Sequence, residues 1–166
     1  KDFPLALETL ATALKLNPDN PEVLWKRGHA RYGMSEHAGA IHDYDEALRL
    51  KPDSMPALSG RAAARYALGQ LKEAEEDYTV VLSTVPSSGL YEDRAAVRFK
   101  LGDFIGSQLD FSRAIEKSPK DGRLYRARAH VRWKLSDGSG ALRDLDEAIQ
   151  LQPAEALLYW WRGKVK

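Results

Sequence analysis

The sequence predicts an all-α protein built from repeated helix pairs, and three observations predict it. Five prolines, Pro18, Pro52, Pro86, Pro119 and Pro153, are spaced by 34, 34, 33 and 34 residues. Each closes a similar segment: ALETLATALKLNP, AIHDYDEALRLKP, AEEDYTVVLSTVP, SQLDFSRAIEKSP and ALRDLDEAIQLQP. Upstream of the last four lies a second set, LWKRGHARYGM, LSGRAAARYAL, YEDRAAVRFKL and YRARAHVRWKL. Each of these holds two arginines four residues apart and then an aromatic.

In the proline-ended segments, small and apolar residues recur at helical spacing, as Ala40, Tyr44 and Ala47 do, or Ala141, Leu145 and Ala148. The proline then stops the helix, because it lacks an N–H and disfavours helical geometry in the residue before it. The upstream segments form the first helix of each unit. A turn follows them, holding Gly69, Gly102 or the run Asp137-Gly138-Ser139-Gly140. The unit is thus helix, turn, helix, proline. Full units are expected at 21–54, 55–87, 88–121 and 122–155. Residues 1–20 carry only a second-type helix and 156–166 only a first-type helix. More chain beyond Lys166, or a partner covering that end, is expected, because Leu157, Leu158, Trp160 and Trp161 make a poor polar cap.

Composition narrows the function. Of 166 residues, 43% are hydrophobic and 30% charged, ordinary for a folded domain. No apolar run approaches the ~18 residues of a membrane span, and no signal peptide is visible, so the cytoplasm is the default expectation. There is no cysteine, which excludes disulfides and thiolate zinc sites. The net charge of +1 argues against a general nucleic-acid binder. It is unevenly spread. Residues 1–118 hold 15 Lys and Arg against 18 Asp and Glu, and residues 119–166 hold 10 against 6, giving −3 and +4.

The pattern resembles the tetratricopeptide repeat family over nearly the whole chain. Family-type positions are filled by Leu24, Gly28, Ala40, Tyr44, Ala47 and Pro52, then by Leu58, Ala62, Ala74, Tyr78 and Pro86. Tyr91, Ala95, Phe111, Ala114 and Pro119 continue the series, as do Tyr125, Ala129, Ala141, Ala148 and Pro153. Ser107, Val81 and Gly138 depart from it. The resemblance implies an α-α superhelix, a right-handed solenoid of antiparallel helix pairs, with four full repeats and a half-repeat at each end. It also implies protein–protein recognition, with no catalytic role for this stretch and no cofactor.

The arginine pairs Arg27/Arg31, Arg61/Arg65, Arg94/Arg98 and Arg128/Arg132 would suit an anionic ligand. However, Asp43, Asp77, Asp110 and Asp144 each follow the first arginine of a pair by 16 residues. An ion pair within each repeat explains that recurrence better, since buried charges need partners. The four histidines, His29, His37, His42 and His130, lack metal-ligand spacing, and neither HExxH nor GxSxG nor a phosphate loop occurs.

The family resemblance also implies a groove lined by the first helices. It would hold Trp25, Lys26, His29 and Tyr32, then Tyr66, then Phe99, then Arg123, Arg126, His130 and Trp133, and finally Trp160 and Lys164. Trp25 and Trp160 are candidate exposed anchors. The cations of the last third, beside aromatics, suit an acidic peptide or a terminal carboxylate, against the plain alternative of a solvated charged surface. The Lys/Asn clamp that grips chaperone tails is missing, because its positions read Trp25, His29, Gly60, Gly89 and Asp93. Rival readings are self-assembly through the terminal helices, RNA binding, and a regulatory region whose catalytic domain lies elsewhere.

Overall fold

The computed structural model describes residues 3–165, and among these ten helices and no strand occur. They are α1 (Phe3–Leu16), α2 (Pro21–Gly33), α3 (His37–Leu50), α4 (Met55–Ala67) and α5 (Leu71–Thr84). Then follow α6 (Ser88–Leu101), α7 (Phe104–Lys117), α8 (Gly122–Lys134), α9 (Gly138–Leu151) and α10 (Ala156–Val165). The all-α class expected from the periodicity is what the chain adopts. The chain divides into two compact units, residues 1–83 and 84–166.

Local chemistry sets the helix ends. Asn20 caps α2, its Oδ1 accepting from the Glu22 and Val23 amides, and Pro21 occupies the first turn where no N–H is needed. Asp103 and Asp137 cap α7 and α9 by accepting from the Gly106 and Gly140 amides. The Gly140 contact holds the Asp137 carboxyl below the usual range.

The turn inside each pair closes one way. The amides of Glu36, Gln70, Asp103 and Asp137 donate back to the carbonyls of Arg31, Arg65, Arg98 and Arg132. This closure needs a left-handed residue just before the donor. Gly69 and Gly102 supply it with φ of 79° and 83°. In the other two pairs Ser35 and Ser136 adopt it, at 63° and 61°. The turn before α9 was expected to rely on its glycines. Instead Ser136 takes the strained position, and Gly138 begins the helix.

In the first unit α2 packs on α1 and α3, and α4 on α3. Ala40, Tyr44 and Ala47 are fully buried there. The Tyr44 ring is wedged between two helices with no room for side chains: a Cβ on Gly28 would lie 2.9 Å from Tyr44 Cε1, and one on Gly60 only 2.4 Å from Cζ. In the second unit consecutive helices α6 to α10 pack in turn. One cluster joins Ala95, Phe111, Ala114, Ile115, Leu124 and Val131, and another joins Ala129, Ala141, Leu145, Ala148 and Leu158. Ser107, where the family pattern has alanine, is fully buried and donates its hydroxyl to the Ala95 carbonyl at 2.8 Å, so its polarity is satisfied.

Candidate interaction surface

The arginine ladder is structural. Nε of Arg27, Arg61, Arg94 and Arg128 donates to Asp43, Asp77, Asp110 and Asp144 at 2.8–2.9 Å, and a terminal nitrogen donates to the second carboxylate oxygen. The second arginine of each pair, Arg31, Arg65, Arg98 or Arg132, reaches the same carboxylate within 2.7–2.9 Å. Each buried aspartate therefore faces two guanidinium groups. The expected pairing holds in all four helix pairs, and these arginines are committed to the interior.

Among the described residues no group of three or more His, Asp or Glu is placed to hold a metal ion. His29 and His42 are exposed, and His37 leans on Tyr32 with ring centroids 5.2 Å apart.

On the first unit, α1 and α2 enclose a groove of about 640 Å³ lined by Phe3, Leu5, Leu10, Trp25, Lys26 and His29 among others. Lys26 donates to Glu22 at 2.8 Å and lies 5.8 Å over the Trp25 ring, so its charge is shared. Tyr32 and, on α4, Tyr66 are half-buried. The apolar wall from α1 was not foreseen. Phe3 and Leu5 lie outside the recurring pattern that pointed to the other groove residues.

The second unit concentrates the aromatics. His130 sits between Phe99 at 5.0 Å and Trp161 at 5.2 Å, with Trp133 stacked at 6.3 Å. Trp161 meets Trp133 and Trp160 edge-on, each at 5.7 Å. Trp133 and Trp160 stay 44% and 53% exposed, so the cluster presents two indole surfaces to solvent. Burial, reinforced by Lys134, holds the His130 imidazole below its usual pKa and favours the neutral ring. Trp161 is central here, although sequence reasoning took it only as part of an apolar end.

The cations divide into two sets. Arg123 donates to Asp121 at 2.8 Å, which lowers the Asp121 pKa, and Arg126 pairs with Glu155. Lys134 and Lys164 have no carboxylate partner among the described residues. They lie over the indoles of Trp133 and Trp160, at 5.4 and 4.4 Å. Of the cations that the sequence suggested, Arg123 and Arg126 are paired with carboxylates, whereas Lys164, like Lys134, lies over an indole.

Consecutive helix pairs, each locked by the same buried arginine–aspartate ion pair, define a repeat-built helical protein. Family models for the TPR repeat and the tetratricopeptide repeat match residues 1–35 and 26–88, together more than half the chain. The chain belongs to the tetratricopeptide repeat family, whose members generally serve as non-catalytic scaffolds for protein–protein interaction.

Solved structures share the fold. YrrB, described as a TPR protein with an unusual peptide-binding site, superposes with a TM-score of 0.85 at 18% identity, covering 96% of this chain and 82% of its own. MamA from Desulfovibrio magneticus gives 0.88 at 17% identity, covering 93% and 88%. A tetratricopeptide repeat protein from Parabacteroides merdae gives 0.85 at 22%, covering 99% and 66%. No curated protein matches the sequence. No helix among the described residues is long and apolar enough to cross a membrane.

Proposed function

We propose that this chain is an interaction scaffold that takes a segment of a partner protein on its first-type helices, and that acidic segments are preferred. The carrying observation is the pair of exposed indoles, Trp133 and Trp160, beside Lys134 and Lys164. Large exposed aromatics next to uncommitted cations suit a ligand with an apolar anchor and a carboxylate. The surplus of four positive charges over residues 119–166 favours the same sign of partner. His130 packs on Trp133 and supports the same reading, while Arg123, Arg126 and Phe99 in this unit, and Trp25, Lys26, His29, Tyr32 and Tyr66 in the first, would add contacts within their own units. YrrB, which shares the fold, is a precedent for peptide binding by such repeats.

The test is affinity capture from native lysate with identification by mass spectrometry, comparing the chain with a Trp133→Ala/Trp160→Ala double variant of unchanged circular dichroism. Binding proteins lost with the variant and enriched in acidic segments would bear the proposal out. An identical set of captured proteins from both would overturn it.

A further inference from the structure

α7 presents a surface that the other second-type helices do not. In α1, α3, α5 and α9 the position of Leu109 is held by Glu8, His42, Glu76 and Arg143, all of them polar and exposed. The position of Ile105 is held by Pro4, Ala38, Lys72 and Ser139. Only α7 places two large aliphatic side chains there, one turn apart on one face, and Ile105 and Leu109 are 75% and 50% exposed. The core face of the same helix is complete without them, since Ser107, Asp110, Phe111, Ala114 and Ile115 are buried. Single exposed apolar residues are normal, but an aliphatic pair where the repeat otherwise keeps polar side chains marks a contact surface. α6 and α8 both pack on α7, so this face is not one left open at the end of a stack.

The charges around the pair are ordered along the helix. At the N-terminal end the Asp103 carboxylate fills the space that a Cβ on Gly106 would take, and it stays half-exposed. It accepts from the Gly106 amide, while Arg98 stands 3.8 Å away, beyond hydrogen-bond distance. Gly106, Leu109 and Arg113 share this face at helical spacing. At the C-terminal end Arg113, Glu116 and Lys117 are exposed, two cations against one anion. Arg113 lies 5.7 Å over the Tyr91 ring and has no carboxylate partner among the described residues.

We propose that this face of α7 binds the same face of a second copy of the chain, the two helices running antiparallel about a two-fold axis at Leu109. An acidic end, an apolar middle and a basic end in that order complement themselves only when one copy is reversed, which is the self-complementarity a two-fold contact requires. The Asp103 carboxylate stands at the level of Gly106, three residues before Leu109, and Arg113 stands four residues after it. An axis at Leu109 therefore brings each Arg113 guanidinium to the Asp103 carboxylate of the other copy. It sets Leu109 against Leu109 and Ile105 against the aliphatic stem of Arg113. A partner of one charge would leave one end of the face unmatched. One helix face makes a small contact, so the dimer is weak. This face shares no residue with the indole–lysine surface, and the inference does not rest on the peptide-binding reading.

The test is sedimentation equilibrium of the full chain from micromolar to millimolar concentration, with circular dichroism melts to show that each variant folds. A concentration-dependent dimer is expected. Leu109→Lys should raise its dissociation constant at least about tenfold, because it puts like charges at the apolar middle. Arg113→Glu should raise it by about tenfold at low salt, because it sets a carboxylate against Asp103. The chain has no cysteine, so one introduced thiol reports the axis by itself. Leu109→Cys should oxidise to a disulfide-linked dimer under conditions that leave Glu147→Cys, exposed on α9, monomeric. A chain that stays monomeric to millimolar concentration would overturn the proposal. So would a dimer of unchanged strength in either charge variant, which puts the contact on another face or in another register, or equal cross-linking of the two thiol variants.

Discussion

Arg94 and Asp110 form a buried bidentate ion pair, with Nε and a terminal nitrogen on the two carboxylate oxygens at 2.8 and 2.7 Å. Their side chains are 7% and 0% exposed, the least accessible of the four such pairs. A second guanidinium, from Arg98, reaches the same carboxylate at 2.9 Å. Removing the carboxylate takes the bidentate acceptor away from the buried Arg94 guanidinium. Asp110→Ala should destabilise the chain by about 3–5 kcal/mol, measured by urea unfolding. Glu22→Ala removes only the solvent-exposed Lys26 pair and should leave the urea midpoint unchanged.

Tyr44 owes its place to two glycines. An added methyl at Gly60 would overlap its ring, and Tyr44 is fully buried and has nowhere to go. Gly60→Ala should therefore cost about 1–3 kcal/mol despite alanine's better helix propensity. Gly89, where a Cβ meets nothing within 4 Å, is the control: Gly89→Ala should be neutral or stabilise by up to about 1 kcal/mol. Thermal unfolding of both variants decides this.

The serine at the left-handed turn position is a removable strain. Ser136→Gly should stabilise by up to about 1 kcal/mol, the left-handed penalty less the entropy of glycine. Gly102→Ala, at the equivalent turn, should destabilise by about 1 kcal/mol. The same sign for both changes would refute the account of these turns.

His130 couples its aromatic cluster to pH. Its pKa is lowered in the folded chain, so the unfolded chain binds the proton more tightly. Stability is therefore full above the unfolded value of about 6.5 and declines as pH falls through it toward the lower folded value. The thermal midpoint should drop between pH 7.5 and pH 5 with a matching change in tryptophan emission, and His130→Gln should flatten that part of both curves.

Some of this was legible in the residues and some was not. Proline spacing and the constant Arg-to-Asp interval marked the helix pairs and their internal ion pairs, because both recur at each turn of the repeat. The pairing of Arg126 with Glu155 spans 29 residues and belongs to no such interval, so Arg126 read as a free cation. Trp161 read as part of an apolar end, yet it joins Phe99, His130, Trp133 and Trp160. Ser35 and Ser136 stand at turn positions where glycine was the visible signal.

The sequence by itself determined the helix-pair repeat, the buried stripe and the arginine–aspartate ladder, since each follows from periodic burial of apolar side chains and the need to pair a buried charge. Tertiary structure alone decided which cations pair with carboxylates, which indoles face solvent and which turn carries strain. Those depend on distances between residues that no period relates, and on side chains settling against whichever neighbours the packing brings.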